Sequence, residues 1–195
     1  SNAVMLRALA VADGLVKVEG ELLDSAHLDS YLTAFALVSA IKKMGKYDLV
    51  LTGRQAADWN NGQVAIFMAE MMGVPAITLA RKVEIDSGNN VLVERIIPHG
   101  YEVVKSPLPA VVMASNEVGE LRYPTLIERR NAKKKPVTAW AAEDIGFNGT
   151  SSKKMKVCRL NRPEIRETKC EVIEGASPLE AGEKLARRLQ AEKII

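Results

Sequence analysis

Apolar positions change their spacing several times along this chain, and each change marks an element. Leu15 to Glu19 alternates Leu15, Lys17 and Glu19 with Val16 and Val18 and predicts a short strand. From Asp29 to Met44, small or apolar residues recur at Leu32, Phe35, Ala36, Ser39, Ala40 and Met44, the stripe of an amphipathic helix. Gly45 ends it, where a residue of positive φ is needed. Asp48-Leu49-Val50-Leu51-Thr52 is a nearly unbroken apolar run, which predicts a strand buried on both faces of a parallel sheet. After Gly53 and a polar loop, Gln63 to Met72 predicts a second apolar helix, closed by Gly73 and barred from continuing by Pro75. Strand, helix, strand, loop and helix in that order predict a parallel α/β sheet with right-handed crossovers.

The pattern then turns antiparallel. Ile77–Ile85, Val91–Ile97 and Tyr101–Lys105 are separated by Ser87-Gly88-Asn89-Asn90 and Pro98-His99-Gly100, turn residues at the spacing of a meander. Residues 109–114 return to a buried strand, and Pro124 to Ala132 predicts a short helix with Thr125 as cap. Residues 148–154 read as a linker. The last helix has Ser177 as N-cap, Pro178 in its first position and Glu180 to complete a capping box; Leu179, Leu185, Ala186 and Leu189 form its apolar side. The organisation expected is a nucleotide-binding α/β domain over residues 4–147 and a linker with a helical arm over 148–195. Ser1-Asn2-Ala3 reads as the remnant of a cleaved expression tag.

Composition adds exclusions. At 195 residues, 47% hydrophobic and 26% charged, the chain has the balance of an ordinary soluble globular protein. A net charge of +3 is too small and too scattered to argue for nucleic acid, and Lys133-Lys134-Lys135 reads as a solvated helix end. Cys158 and Cys170, with no accompanying Cys or His cluster, read as unpaired thiols of a reducing, cytoplasmic compartment rather than a disulfide or metal site. His27 and His99 suggest no site. No apolar stretch approaches the roughly 20 residues that span a bilayer, so no membrane insertion is expected.

The informative segment is Thr52-Gly53-Arg54-Gln55-Ala56-Ala57-Asp58-Trp59-Asn60-Asn61-Gly62-Gln63, between the carboxyl end of a predicted parallel strand and a helix start. Ligands bind there in open α/β sheets. Gly53 permits a sharp exit from the sheet, and Gly62 permits close backbone approach at the helix entrance. Asn60, Asn61 and Gln63 bring polar side chains, and the first helical N–H groups point outward at an anion. A plain polar loop, with Asp58 or Asn60 merely capping the helix, fits these residues equally well. The segment has neither Walker Gly-Lys-Ser/Thr nor a GxGxxG turn, and it lacks the Ser-Gly-Gly loop of ATP pyrophosphatases. Binding is supported; pyrophosphate cleavage is not.

Gly53, Arg54, Gln55, Ala56, Asp58 and Gln63, in this order after a strand, resemble the β-subunit family of electron transfer flavoproteins, including its FixA-like branch. The likeness continues through Val93-Glu94-Arg95, Glu102 and Leu108-Pro109-Ala110-Val111-Val112. It closes with Arg122-Tyr123-Pro124-Thr125-Leu126 and Ala132-Lys133-Lys134-Lys135-Pro136. The resemblance implies an adenine-nucleotide α-hydrolase-like (Rossmann-like) α/β core with a parallel sheet, the antiparallel meander and a C-terminal arm. It implies a partner α-subunit carrying FAD, and a pocket in this chain for AMP or, as in electron-bifurcating members, a second FAD. By position, the nucleotide site would be Gly53, Arg54, Gln55, Ala56, Asp58, Asn60, Asn61, Gly62, Gln63 and Val64. Docking onto a flavin-dependent dehydrogenase would use Val118 as apolar anchor, with Glu117, Gly119, Arg122 and Tyr123.

The chain also departs from the family pattern. Pro98-His99-Gly100 replaces an acidic turn, Asn60 stands where Asp is common, and Ala65 stands where Gly would leave a diphosphate more room. About 60 family residues are expected ahead of Leu6; without them, nucleotide affinity would fall and an exposed sheet edge would favour self-association. The leading expectation is an electron-carrier subunit with no catalytic residues of its own, since the chemistry belongs to the flavin. The alternative is a nucleotide-binding regulatory or structural protein of the same fold. A hydrolase is disfavoured by the lack of an activated nucleophile or metal-carboxylate set.

Overall fold

Small apolar residues spaced four apart decide how the central helix is buried. In the computed structural model, which describes residues 2–23, 28–147, 153–162 and 170–195, five helices and seven strands are formed. In chain order they are α1 (Asn2–Val11), β1 (Leu15–Glu19), α2 (Ser30–Met44), β2 (Leu49–Gly53), α3 (Val64–Met72), β3 (Ala76–Ile85), β4 (Asn90–Ile97), β5 (Gly100–Pro107), β6 (Ala110–Ala114), α4 (Leu126–Ala132), β7 (Val137–Ala141) and α5 (Pro178–Ala191). His27 and linker residues 148–152 lie outside the described residues. The chain divides into two compact units, residues 1–156 and 157–195.

The larger sheet of the first unit has the order β2-β6-β3-β4-β5. Strands β2, β6 and β3 are parallel; β4 and β5 return antiparallel. Every side chain from Ala110 to Met113 is buried, so β6 is the spine of the sheet. On one face, Ala110 and Val112 join Ile77, Ala80, Val91 and Val93. On the other, Val111 and Met113 receive Ala65 and Ala69 of α3.

Helix α2 buries two stripes rather than the single one its sequence suggests. Ala34 and Val38 meet Met68 of α3, while Leu32, Ala36 and Ala40 meet Ala142, Ile145 and Phe147. Alanine makes this possible, because small side chains let neighbours approach on both sides. Met44, counted in the predicted stripe, is exposed. Asp29 caps the helix from outside it, and Gly45 follows with φ of 101°. Gly73 ends α3 in the left-handed conformation, its N–H and that of Val74 both reaching the Ala69 carbonyl.

Two expectations are corrected. Strand β1 does not join β2 in one parallel sheet: it pairs in parallel only with β7, residue by residue from Leu15↔Val137 to Glu19↔Ala141. Its half-buried side chains suit this two-stranded layer, where Val18 packs on the Ala36/Phe147 cluster. Strand β2 is not buried on both faces either. It is an edge strand, and Leu51 is 62% exposed despite the unbroken apolar run.

Helix α1 and strand β7 have no counterpart in the sequence pattern. Leu9 and Ala10 of α1 are buried against Ala132 of α4. Lys135 Nζ donates to the carbonyls of Leu9 (3.0 Å) and Ala12 (2.6 Å), supplying cationic donors where a helix end leaves acceptors unpaired. One lysine of the apparent solvated run is therefore a structural cap.

In the second unit, Ser177 Oγ accepts from Glu180 N–H as expected for an N-cap. Glu180 reaches back to Ala176 N–H (2.8 Å) rather than to Ser177, so the reciprocal bond falls one residue earlier than a capping box places it. Lys184 pairs with Glu180 and Arg188 with Glu192 along the helix. Among the described residues, no helix is long and apolar enough to cross a membrane.

Candidate functional site

The segment from Gly53 to Gln63 leaves the carboxyl end of β2, where Gly53 stands opposite Ala114 of β6. Its backbone folds back on itself: Asn60 N–H donates to the Ala56 carbonyl (2.9 Å), and Asn60 adopts φ of 52°. Asparagine tolerates that region better than other side chains. Gln55 Nε2 donates to Asn60 Oδ1 (3.0 Å), closing the loop with a side-chain bond. Gly62 follows at φ of 61°, a second left-handed position, and a methyl there would come within 3.5 Å of Gln55 Oε1.

These bonds answer the question of capping. Asp58 Oδ1 accepts from the N–H of Trp59 (2.9 Å), and Asn60 Oδ1 is taken by Gln55. Neither caps α3. Gln63 holds the N-cap position with no side-chain cap, so the first N–H groups of α3, beginning at Val64, are left for water or a ligand. Gly53, Arg54, Gln55, Ala56, Asp58, Asn60, Asn61 and Gln63 are all solvent-accessible, while Gly62 and Val64 are half-buried.

The Ala65 side chain is 4% exposed and packs with Ala69, Val111 and Met113 beneath the helix, its methyl filling core space.

Three residues at this end of the molecule had not been singled out. Thr52 Oγ1, one residue before the loop, is buried and has no hydrogen-bond partner among the described residues, an uncommon state for a hydroxyl. Ser30, 6% exposed, accepts at Oγ from Asn61 Nδ2 (3.2 Å). Asp29 caps α2 through Leu32 N–H (2.8 Å) and accepts two further N–H groups from Lys154 and Met155. Desolvation alone would raise the Asp29 pKa, but N–H donation from Leu32, Met155, Lys154 and Tyr31 outweighs it and lowers the pKa. An Asp directly before an apolar helical stripe is a readable cap signal. The contact with residues far along the chain is not.

The second candidate group follows β6. Ser115 is buried and donates its N–H to the Ala80 carbonyl (2.8 Å), while its Oγ receives Glu117 N–H (3.1 Å). Residues Asn116–Val118 make one turn of 3₁₀-helix, and Gly119 leaves it at φ of 142°. Val118 is 44% exposed and Tyr123 is 83% exposed. Arg122 lies against a different partner: Nη1 and Nη2 grip the two oxygens of Glu128 at 3.1 and 3.0 Å. Glu128 also accepts from the N–H and hydroxyl of Thr125, and Thr125 Oγ1 receives Glu128 N–H, a complete capping box on α4. Because β2 and β6 are parallel neighbours, this segment and the Gly53–Gln63 loop leave the sheet at the same end.

A family model of the electron transfer flavoprotein domain matches residues 2–145. The chain is 35% identical over 175 residues to the electron transfer flavoprotein subunit beta of Thermoanaerobacterium thermosaccharolyticum, an alignment covering 87% of this chain and 66% of the other. It is 31% identical over 171 residues to the CarD subunit of the caffeyl-CoA reductase–Etf complex of Acetobacterium woodii, covering 86% of this chain and 64% of that one. The chain thus spans slightly less than two thirds of the length of either relative.

Proposed function

The chain belongs to the electron transfer flavoprotein domain family, and on that footing we propose that it acts as a β-type subunit, binding AMP or FAD and pairing with an FAD-carrying α-subunit to pass electrons between dehydrogenases and an acceptor. The observation that carries the binding half is the uncapped start of α3 behind Gly62. An anionic group there gains about 0.3–1 kcal/mol from the helix dipole, with hydrogen bonds from the amides in addition. Gly53, Arg54, Gln55 and Ala56 carry the backbone out of the sheet. Asp58, Asn60 and Asn61 shape the turn, and Gly62, Gln63 and Val64 present the amides.

A bound flavin supplies the redox chemistry; this chain binds, orients and docks. None of its residues needs to act as acid, base or nucleophile, so it is read as a carrier subunit rather than a catalyst. Val118, with Glu117 and Gly119 shaping its turn, is the proposed apolar anchor for a flavin-dependent dehydrogenase. Tyr123 is exposed, and Arg122 holds its stretch of chain to α4 through Glu128.

Co-expression with an α-type partner tests the reading. A yellow heterodimer with a flavin absorbance spectrum, retaining AMP or FAD detectable by mass spectrometry, is the expected result. A colourless homo-oligomer that releases no nucleotide on denaturation would overturn it.

A further inference from the structure

We infer that Asp29 and Ser30, at the start of α2, form a two-sided junction that positions the loop through Asn61 and latches the strap Lys154–Met155 to the helix. The two carboxylate oxygens divide the work. Oδ1 accepts from Leu32 N–H (2.8 Å) and caps the helix, while Oδ2 accepts from Lys154 N–H (2.6 Å) and Met155 N–H (2.9 Å).

A cap alone does not explain this arrangement. Serine or asparagine would cap α2 about as well as aspartate. Only an acceptor on both sides can also receive two strap amides, and an ionised carboxylate is the side chain that offers it. A second contact reinforces the latch: Lys154 Nζ lies 5.3 Å from the ring centroid of Tyr31, which packs edge-to-face with Phe67 of α3, the ring centroids 6.0 Å apart. The strap is thereby held against the first turn of the helix that packs on α3. Both residues belong to the first unit, which ends at Lys156.

The other side of the junction is Ser30, whose buried Oγ accepts from Asn61. Asn61 is thus pinned by a helix start that is itself pinned by the strap. That Asn61 serves nucleotide binding rests on the reading proposed above; the strap contact does not.

Amide hydrogen exchange followed by NMR on the full chain tests both sides. Asp29→Ser keeps a short cap for Leu32 but has no second oxygen for the strap. It is expected to speed exchange at Lys154 and Met155 on the order of tenfold, with Leu32 little changed. Unchanged protection at Lys154 and Met155 overturns the latch. Should Asp29→Ser fail to fold, Met155→Pro deletes one strap donor and spares the cap; faster exchange at Lys154 is expected, and no change counts against the proposal. Ser30→Ala is expected to speed exchange of the Asn61 side-chain amide protons while the strap stays protected, and unaltered Asn61 exchange overturns the positioning half. Titration of wild type with AMP is a separate readout: absence of binding sinks the nucleotide reading and leaves both exchange results standing.

Discussion

Val118 sits four residues beyond the end of β6, on a 3₁₀ turn that Ser115 ties down from both its N–H and its hydroxyl. A rigid, partly exposed apolar side chain on such a turn is the kind of anchor that dominates an interface when it enters a pocket. On the proposed docking role, Val118→Asp is expected to weaken coupling to a flavin-dependent dehydrogenase by about 2 kcal/mol, roughly thirtyfold. AMP affinity should stay within about twofold, because the turn and the Gly53–Gln63 loop share no hydrogen bond. Stopped-flow electron transfer beside nucleotide titration checks this, and parallel losses in both would count against the docking role. At this scale the sharp turns of the loop were legible in Gly53 and Gly62, and the helix start that follows has no side-chain cap. Illegible were the buried hydroxyl of Thr52, the Ser30–Asn61 contact and the second role of Asp29 beyond its cap, since contacts across 31 and 125 positions leave no local pattern.

Helix α4, seven residues long, owes its start to a reciprocal cap rather than to length. The Arg122 fork, followed by the Thr125 N–H and hydroxyl, draws the Glu128 pKa from 4.5 down to about 2. A folded-state pKa below the ordinary value means a contribution fully present above about pH 4.5 and lost as pH falls toward 2. Amide protection at Thr125 and Glu128 is expected to decline through that window, and in Glu128→Gln it should start lower and stay flat. A wild-type profile level from pH 5 to 2 would contradict the assignment. Element starts and stops were the part of the fold best read from sequence: Thr125, Ser177 and Gly73 sit where their chemistry predicts. The strands were read less well. An apolar run such as Leu49–Thr52 looks the same at the edge of a sheet as in its middle, and nothing local told β1 to choose β7 over β2. Helix α1 escaped notice because only Leu9 and Ala10 of it are fully buried.

Taken whole, the molecule distributes its stability unevenly. The first unit holds every fully buried residue of the described chain, whereas α5 buries none of its fourteen residues. An isolated helix of that length is marginal in water, even with its Ser177 cap and two i,i+4 ion pairs. Amides of α5 are expected to exchange about 100-fold faster than those of β3 and β6 in the isolated chain. Equal protection in the two would show support for α5 that its exposure does not reveal. The exposed ring of Trp59 has a practical consequence. The chain holds two tryptophans, and the other, Trp140 on β7, lies half-buried with Lys43 Nζ 4.8 Å from its ring. Trp140→Phe would leave a single indole emitter, 54% exposed, within the Gly53–Gln63 loop. Its fluorescence then becomes an optical gauge of that loop: on the proposed nucleotide reading, emission is expected to change saturably as AMP is added, and less with adenosine, which has no phosphate to offer.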